Sequence, residues 1–199
     1  MSIAILAWGS LIWCPGSLRI RTRWRHDGPN LPIEFARKSC DGRLTLVIDP
    51  RFEEQGTYWA VSDFVTLDDA RRNLSEREGT DEIHIHHLDR LGTGPAEIPA
   101  VVKARVREWL TARREFHFAV WTGLPMKGPS GSFTTDSAVK YLAGLEKSGD
   151  RPTARRAREY VCNAPPQVNT EVREEMRKLG WRDVELPSIL FDDPHGSAP

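Results

Sequence analysis

The apolar run Ile3-Ala4-Ile5-Leu6-Ala7, ended by Trp8-Gly9-Ser10-Leu11-Ile12, constrains this chain more than any other segment. Five consecutive apolar residues closed by a Gly-Ser pair read as a short buried strand, so a sheet has to form around it. An aromatic residue followed by Gly-Ser lets backbone N–H groups turn outward together. Glycine at position 9 permits close approach of a ligand and unusual backbone angles, and consecutive exposed N–H groups form a nest for a carboxylate or an oxyanion. Gly-Ser after a strand is also, more simply, a turn.

A second informative stretch is Leu74-Ser75-Glu76-Arg77-Glu78-Gly79-Thr80. The residues before it predict a helix over 67–77: Thr66 caps it, Asp68 and Asp69 suit the positive end of its dipole, and Leu67, Ala70 and Leu74 share a face. Gly79 stops it. Glu78 then falls at the last turn, where the negative end of the dipole opposes a carboxylate and raises its pKa, and burial would raise it further. The plainer expectation for Glu78, between Glu76-Arg77 and Gly79, is a solvated surface carboxylate.

Runs rich in Val, Ile, Phe and Trp predict strands over 3–7, 33–37, 44–49, 57–61, 83–88 and 116–121. Helices are predicted over 67–77, 101–114, 136–147, 153–160 and 170–179, the last capped by Thr170 and stopped by Gly180. Strands lead and helices trail, which makes the class α+β with a mixed or antiparallel sheet. The 199 residues fit one domain, over 1–190. The chain after Pro187 reads as a frayed end or an arm, with a flexible tail over 191–199.

Charge and cysteine usage narrow the function classes. Lys+Arg and Asp+Glu are both 28, a balance that argues against a nucleic-acid partner. Arg19, Arg21, Arg23 and Arg25 alternate along one extended segment and read as a solvated or ion-paired edge. No stretch approaches the ~20 apolar residues of a membrane helix, and no secretory leader is expected. Cys14, Cys40 and Cys162 form no motif and read as reduced, buried, structural thiols of a cytoplasmic protein. His84 and His86 would share a strand face, but no third ligand is evident, so no metal is expected. The segment 123–132 lacks the Gly-Lys-Ser/Thr ending of a phosphate loop and reads as a surface loop shaped by Pro125 and Pro129. Ser10 has no Gly-x-Ser-x-Gly elbow and no placed histidine, so a binding role suits it better than a nucleophilic one.

The strand ending in an aromatic-Gly-Ser-Leu turn, together with the acidic residue just before Gly79, resembles the gamma-glutamylcyclotransferase family. The continuation Leu11-Ile12-Trp13-Cys14-Pro15-Gly16 is similar to its ChaC-like branch, as are Phe35-Ala36-Arg37-Lys38-Ser39 and Gly42-Arg43-Leu44-Thr45-Leu46-Val47. Gly128-Pro129-Ser130-Gly131, Tyr141-Leu142 and Glu159-Tyr160 form a weaker block. The chain departs from the pattern at Trp8, where the family usually has tyrosine. It departs again at 80–85, which lacks a tyrosine often found there, and at 99–114, where a helix-like stretch replaces a shorter link.

The resemblance implies a small, partly closed β-barrel with flanking helices. It also implies the reaction: a γ-glutamyl amide cyclises as its own α-amine attacks the γ-carbonyl, giving 5-oxoproline and a released amine or amino acid. No metal or cofactor is needed, because the nucleophile belongs to the substrate. Glu78 would be the general base and acid. Ile5, Leu6, Ala7, Trp8, Gly9, Ser10 and Leu11 would form the substrate-binding segment. Glutathione, a γ-glutamyl amino acid and a γ-glutamylamine all stay open as substrates, and so does a homodimer. The alternative is a non-catalytic small-molecule-binding protein on the same fold.

Overall fold

The computed structural model describes residues 1–129 and 131–192. Strand β1 (Ile3–Ala7) is buried at every position and lies inside a four-stranded sheet. Its neighbours are β5 (Tyr58–Val61), antiparallel, and β7 (Phe118–Thr122), parallel, with β6 (Ile85–Asp89) antiparallel to β7 at the edge. The continuous apolar run follows from this position, since both faces of β1 are covered. Ala4 and Leu6 enter a core with Trp8, Trp59, Ala119 and Trp121. Ile3, Ile5 and Ala7 pack on the other side with Tyr58, Val120, Ala70 and Leu74.

Ala70 and Leu74 come from α1 (Leu67–Glu78), which ends at the glutamate. Thr66 accepts the Asp69 N–H at its start, and Gly79 closes it in the left-handed conformation at φ 61°. A second sheet holds β2 (Leu31–Lys38) between β3 (Leu44–Ile48) and the two-residue β4 (Glu54–Gln55). The β2–β3 register shifts between Phe35 and Arg37, a bulge that re-aims Arg37 and the residues after it. Helix α2 (Ala100–Ala112) runs between β6 and β7 in sequence and packs against β2, β6 and β7. Helix α3 (Thr135–Lys147) packs on both α4 (Arg151–Cys162) and α5 (Glu171–Lys178), with α4 against β3 and α5 against β2. The buried Glu34 of β2 accepts the Val172 N–H at 3.2 Å, tying the sheet to the first turn of α5.

The α+β class is therefore present, as two sheets and five α-helices among the described residues. The expected partly closed barrel is not seen: no ladder among the described residues joins the two sheets. The segment with alternating arginines is not one extended run either: it makes isolated bridges at Ile20, Trp24 and Arg25, with a bend at Arg21–Thr22 between them. Its ends are ion-paired, Arg19 to Asp63 at 2.5 Å and Arg25 to Asp192 at 2.6 Å. The histidine expectation needs correction: His84 ends a 3-10 turn (Glu82–His84), and the strand starts only at Ile85. Among the described residues no group of three metal-ligating side chains stands together.

The thiols also differ from expectation, since Cys14 and Cys40 are exposed and only Cys162 is buried. After Pro187 the chain makes one 3-10 turn (Ser188–Leu190), then Phe191 docks against Tyr58 with ring centres 5.4 Å apart. The rest of the expected tail, 193–199, lies outside the described residues, as does Ser130 in the expected loop. No helix among the described residues is long and apolar enough to cross a membrane.

Candidate active site

The chain turns sharply after β1. The Ile12 N–H donates to the Gly9 carbonyl at 3.0 Å and the Cys14 N–H to that of Ser10 at 2.8 Å. Among the described residues the amides of Gly9, Ser10 and Leu11 have no protein acceptor. They line a cavity of about 360 Å³. Consecutive N–H groups at the start of such a turn carry the positive partial charge that attracts an anion.

Glu78 stands on the cavity wall contributed by the C-terminal end of α1. Its side chain is 17% exposed, and Oε1 accepts from Arg77 Nη1 at 2.9 Å. Neighbouring residues on a helix normally point apart, so this pair forms only because the helix ends here. Burial raises the Glu78 pKa above the usual carboxylate range, while the Arg77 and Arg43 charges pull it back. Arg77 also reaches the turn: Nη2 donates to Ser10 Oγ at 3.2 Å and to the Cys14 carbonyl at 2.6 Å, and Nε to the Pro15 carbonyl at 3.3 Å. One guanidinium thus fixes the carboxylate relative to the nest.

Tyr160, from the distant helix α4, lies over the turn. A Cβ added at Gly9 would stand 2.8 Å from its phenol oxygen, so only glycine lets the ring come this close. Trp13 and Phe35 hold the ring edge-on, and the Arg43 guanidinium covers it at 5.2 Å. Burial and the Glu78 charge push the phenol up to about 12. It is therefore a neutral O–H donor at any ordinary pH.

Of the residues expected to bind substrate, Leu6, Ala7, Trp8, Gly9, Ser10 and Leu11 line the cavity. Ile5 does not; it is 1% exposed and packs under α1 in the core. Ser10 is held by Arg77 and has no histidine partner. The expected loop does flank the site, since Leu124 lines the cavity and Arg37 Nη1 donates to the Pro125 carbonyl at 2.7 Å. Arg37, Arg43 and Tyr160 were not evident as site residues from the sequence. Arg43 looks like a surface residue of a hairpin turn, and Tyr160 sits at the same helical spacing as the core residues Ala157 and Val161. The one local signal was Arg77, directly beside Glu78.

No family model and no curated protein matches the sequence. Among solved structures, the chain is similar to a glutathione-specific gamma-glutamyl cyclotransferase from yeast. The identity is 16%, over 80% of this chain and 96% of that one, with a TM-score of 0.37. A likeness this distant says nothing about the chemistry of the site.

Proposed function

We propose that the protein is a γ-glutamyl cyclotransferase of the gamma-glutamylcyclotransferase-like type, converting a γ-glutamyl amide to 5-oxoproline. The observation that carries this reading is the placement of Glu78, a carboxyl whose pKa burial raises, across one cavity from three amides that have no protein acceptor among the described residues. The Gly9, Ser10 and Leu11 N–H groups hold the substrate carboxylate or the oxyanion that develops on the γ-carbonyl. Each such donor is worth about 3 kcal/mol in the transition state.

Glu78 takes a proton from the substrate α-ammonium. The freed amine attacks the γ-carbonyl carbon, the ring C–N bond forms, and the old amide C–N bond breaks as Glu78 returns the proton to the leaving nitrogen. The second proton of the ring nitrogen passes to the released amine, which departs as its ammonium. A carboxyl poised above the ~4.3 of free glutamate serves both directions better than an ordinary one. Holding the chain in the cyclising geometry supplies more of the rate, up to roughly 7–11 kcal/mol in the best intramolecular cases. Trp8 is packed in the core and offers no hydroxyl, and the Tyr160 phenol beside Gly9 is the hydroxyl we assign to this wall of the site.

The test is 5-oxoproline release from glutathione, γ-glutamyl-alanine and γ-glutamyl-lysine, with wild type beside Glu78→Gln. Release by wild type alone supports the reaction and the residue together. Equal release by the variant removes Glu78 from the mechanism, and silence from both, on this panel and on an uncharged γ-glutamyl amide, refutes the cyclotransferase reading.

A further inference from the structure

Leu124 lies at the edge of the first cavity. That side chain also lines a second cleft, of about 560 Å³. Strand β3 runs through both compartments, contributing Thr45, Leu46 and Val47 to the first and Ile48 to the second. Resting on the cyclotransferase reading above, we infer that the leaving group extends past Leu124 into this second cleft. The preferred substrates are then γ-glutamyl amides of bulky, uncharged, apolar amines.

The two compartments differ in chemistry. Arg37, Arg43 and Arg77 line the first, where the glutamyl carboxylate belongs. No lysine or arginine lines the second, whose ionisable groups are Asp49, Glu97, His84 and His86. Arg51 reaches its rim through the Met126 sulfur, but it is tied to Asp49 by two bonds of 2.7 Å. Burial holds the His86 imidazole below its ordinary pKa, so it adds no positive charge at neutral pH. A leaving group ending in a carboxylate would lose its hydration there and meet two acidic side chains without a free cation.

An apolar group meets Trp121, Leu124, Met126 and Ile83 instead. Ile83 is 68% exposed, a large aliphatic side chain on the wall of the cleft with most of its surface open to a ligand. Gly123 shapes the same wall, since a Cβ there would stand 2.3 Å from the His86 ring. These features fit an aryl or branched alkyl amine better than a peptide terminus.

The experiment compares kcat/KM for 5-oxoproline release from γ-glutamyl-phenethylamide, γ-glutamyl-methylamide and glutathione, using the full chain and its Ile83→Lys variant. The phenethylamide is expected to exceed both others by about tenfold or more. Ile83→Lys, at an exposed position, is expected to cut the phenethylamide-to-methylamide ratio and to raise glutathione relative to both. Glutathione matching the phenethylamide in wild type, or ratios unmoved by the lysine, overturns the inference while leaving the cyclotransferase reading intact. No 5-oxoproline from any of the three overturns both.

Discussion

Two arginine–carboxylate pairs, one at the end of α1 and one based on α5, make opposite use of the same chemistry. Arg173 on α5 is 1% exposed, and all of its nitrogens are occupied. Nη1 donates to the Pro165 and Val168 carbonyls at 2.7 Å each, Nη2 to that of Ala164, and Nε to Asp183 at 3.1 Å. Burial works against the Asp183 charge, but the hydrogen bond from Arg177 and the charge of Arg173 outweigh it, and its pKa falls below the ordinary range. Arg77 and Glu78 are also mostly enclosed, yet burial dominates there and the Glu78 pKa rises. The difference is in what is left over. Every nitrogen of Arg173 has an acceptor among the described residues, and the side chain staples the loop before α5. Glu78 has one guanidinium on one oxygen, and its other oxygen accepts from no protein donor among the described residues. A closed pair stabilises, and an open one is available for chemistry.

The strongest way to break this contrast is to neutralise each pair in turn. Glu78→Gln should lower kcat for 5-oxoproline formation by about 10²–10⁴-fold, the range that positioned acid–base groups contribute. Its urea midpoint should not fall. Arg173→Met should do the reverse, lowering stability on the order of 3–5 kcal/mol in urea unfolding, because buried carbonyls lose their donor. Its turnover per folded molecule should stay near wild type. If Arg173→Met abolished turnover in the folded protein, or Glu78→Gln only weakened folding, the assignment of closed and open pairs would be wrong.

Part of the open site was legible in the sequence, and the Arg173 cluster was not. Thr66, the Asp68-Asp69 pair and Gly79 mark the ends of α1 by local hydrogen bonding, so Glu78 could be placed at the last turn without tertiary information. The run 3–7 announced a covered strand by composition alone. What could not be read was anything set by long-range packing. Tyr160 comes from 150 residues beyond the turn it covers, and its spacing suits a core tyrosine equally well. Arg43 acquires its role only because the β2–β3 hairpin bends over the cavity after a bulge. Ile5 was grouped with the site by adjacency, although alternation along β1 turns it to the other core. The second cleft, assembled from β3, the turn before β6, α2 and residues 123–126, left no sequence signature.

A smaller effect sharpens the description of the open site. Gly9→Ala places a methyl group at 2.8 Å from the Tyr160 oxygen, and the clamped ring must give way. A loss in kcat of about tenfold is expected, with KM changed less, since the donor and not the nest is displaced. Tyr160→Phe should cost a similar factor. In the Tyr160→Phe background the added loss from Gly9→Ala should shrink, because both changes act on one hydroxyl. Fully additive losses in that double-mutant cycle would mean the glycine is needed for the turn itself.

The smallest effect is on thermal stability, and its sign separates the two pairs. Glu78 has a folded-state pKa raised above the reference of 4.5, so the folded protein binds this proton more tightly than the unfolded chain. The stabilisation is full below the unfolded pKa and is lost as pH rises toward the folded one. Gln, neutral throughout, escapes that loss. Glu78→Gln should therefore melt higher than wild type at pH 7, by about 2–4 °C for each kcal/mol. The gap should close as the pH is lowered past about 4.5, where the wild-type carboxyl is protonated in both states. Asp183, with its pKa held below the reference of 3.8, contributes stability above that value and loses it in acid. Asp183→Asn should accordingly melt lower than wild type at pH 7, by a small amount because the group is half exposed. Melting curves of both variants at pH 4 and pH 7 decide the matter, and shifts of the same sign at pH 7 would erase the distinction between a closed pair and an open one.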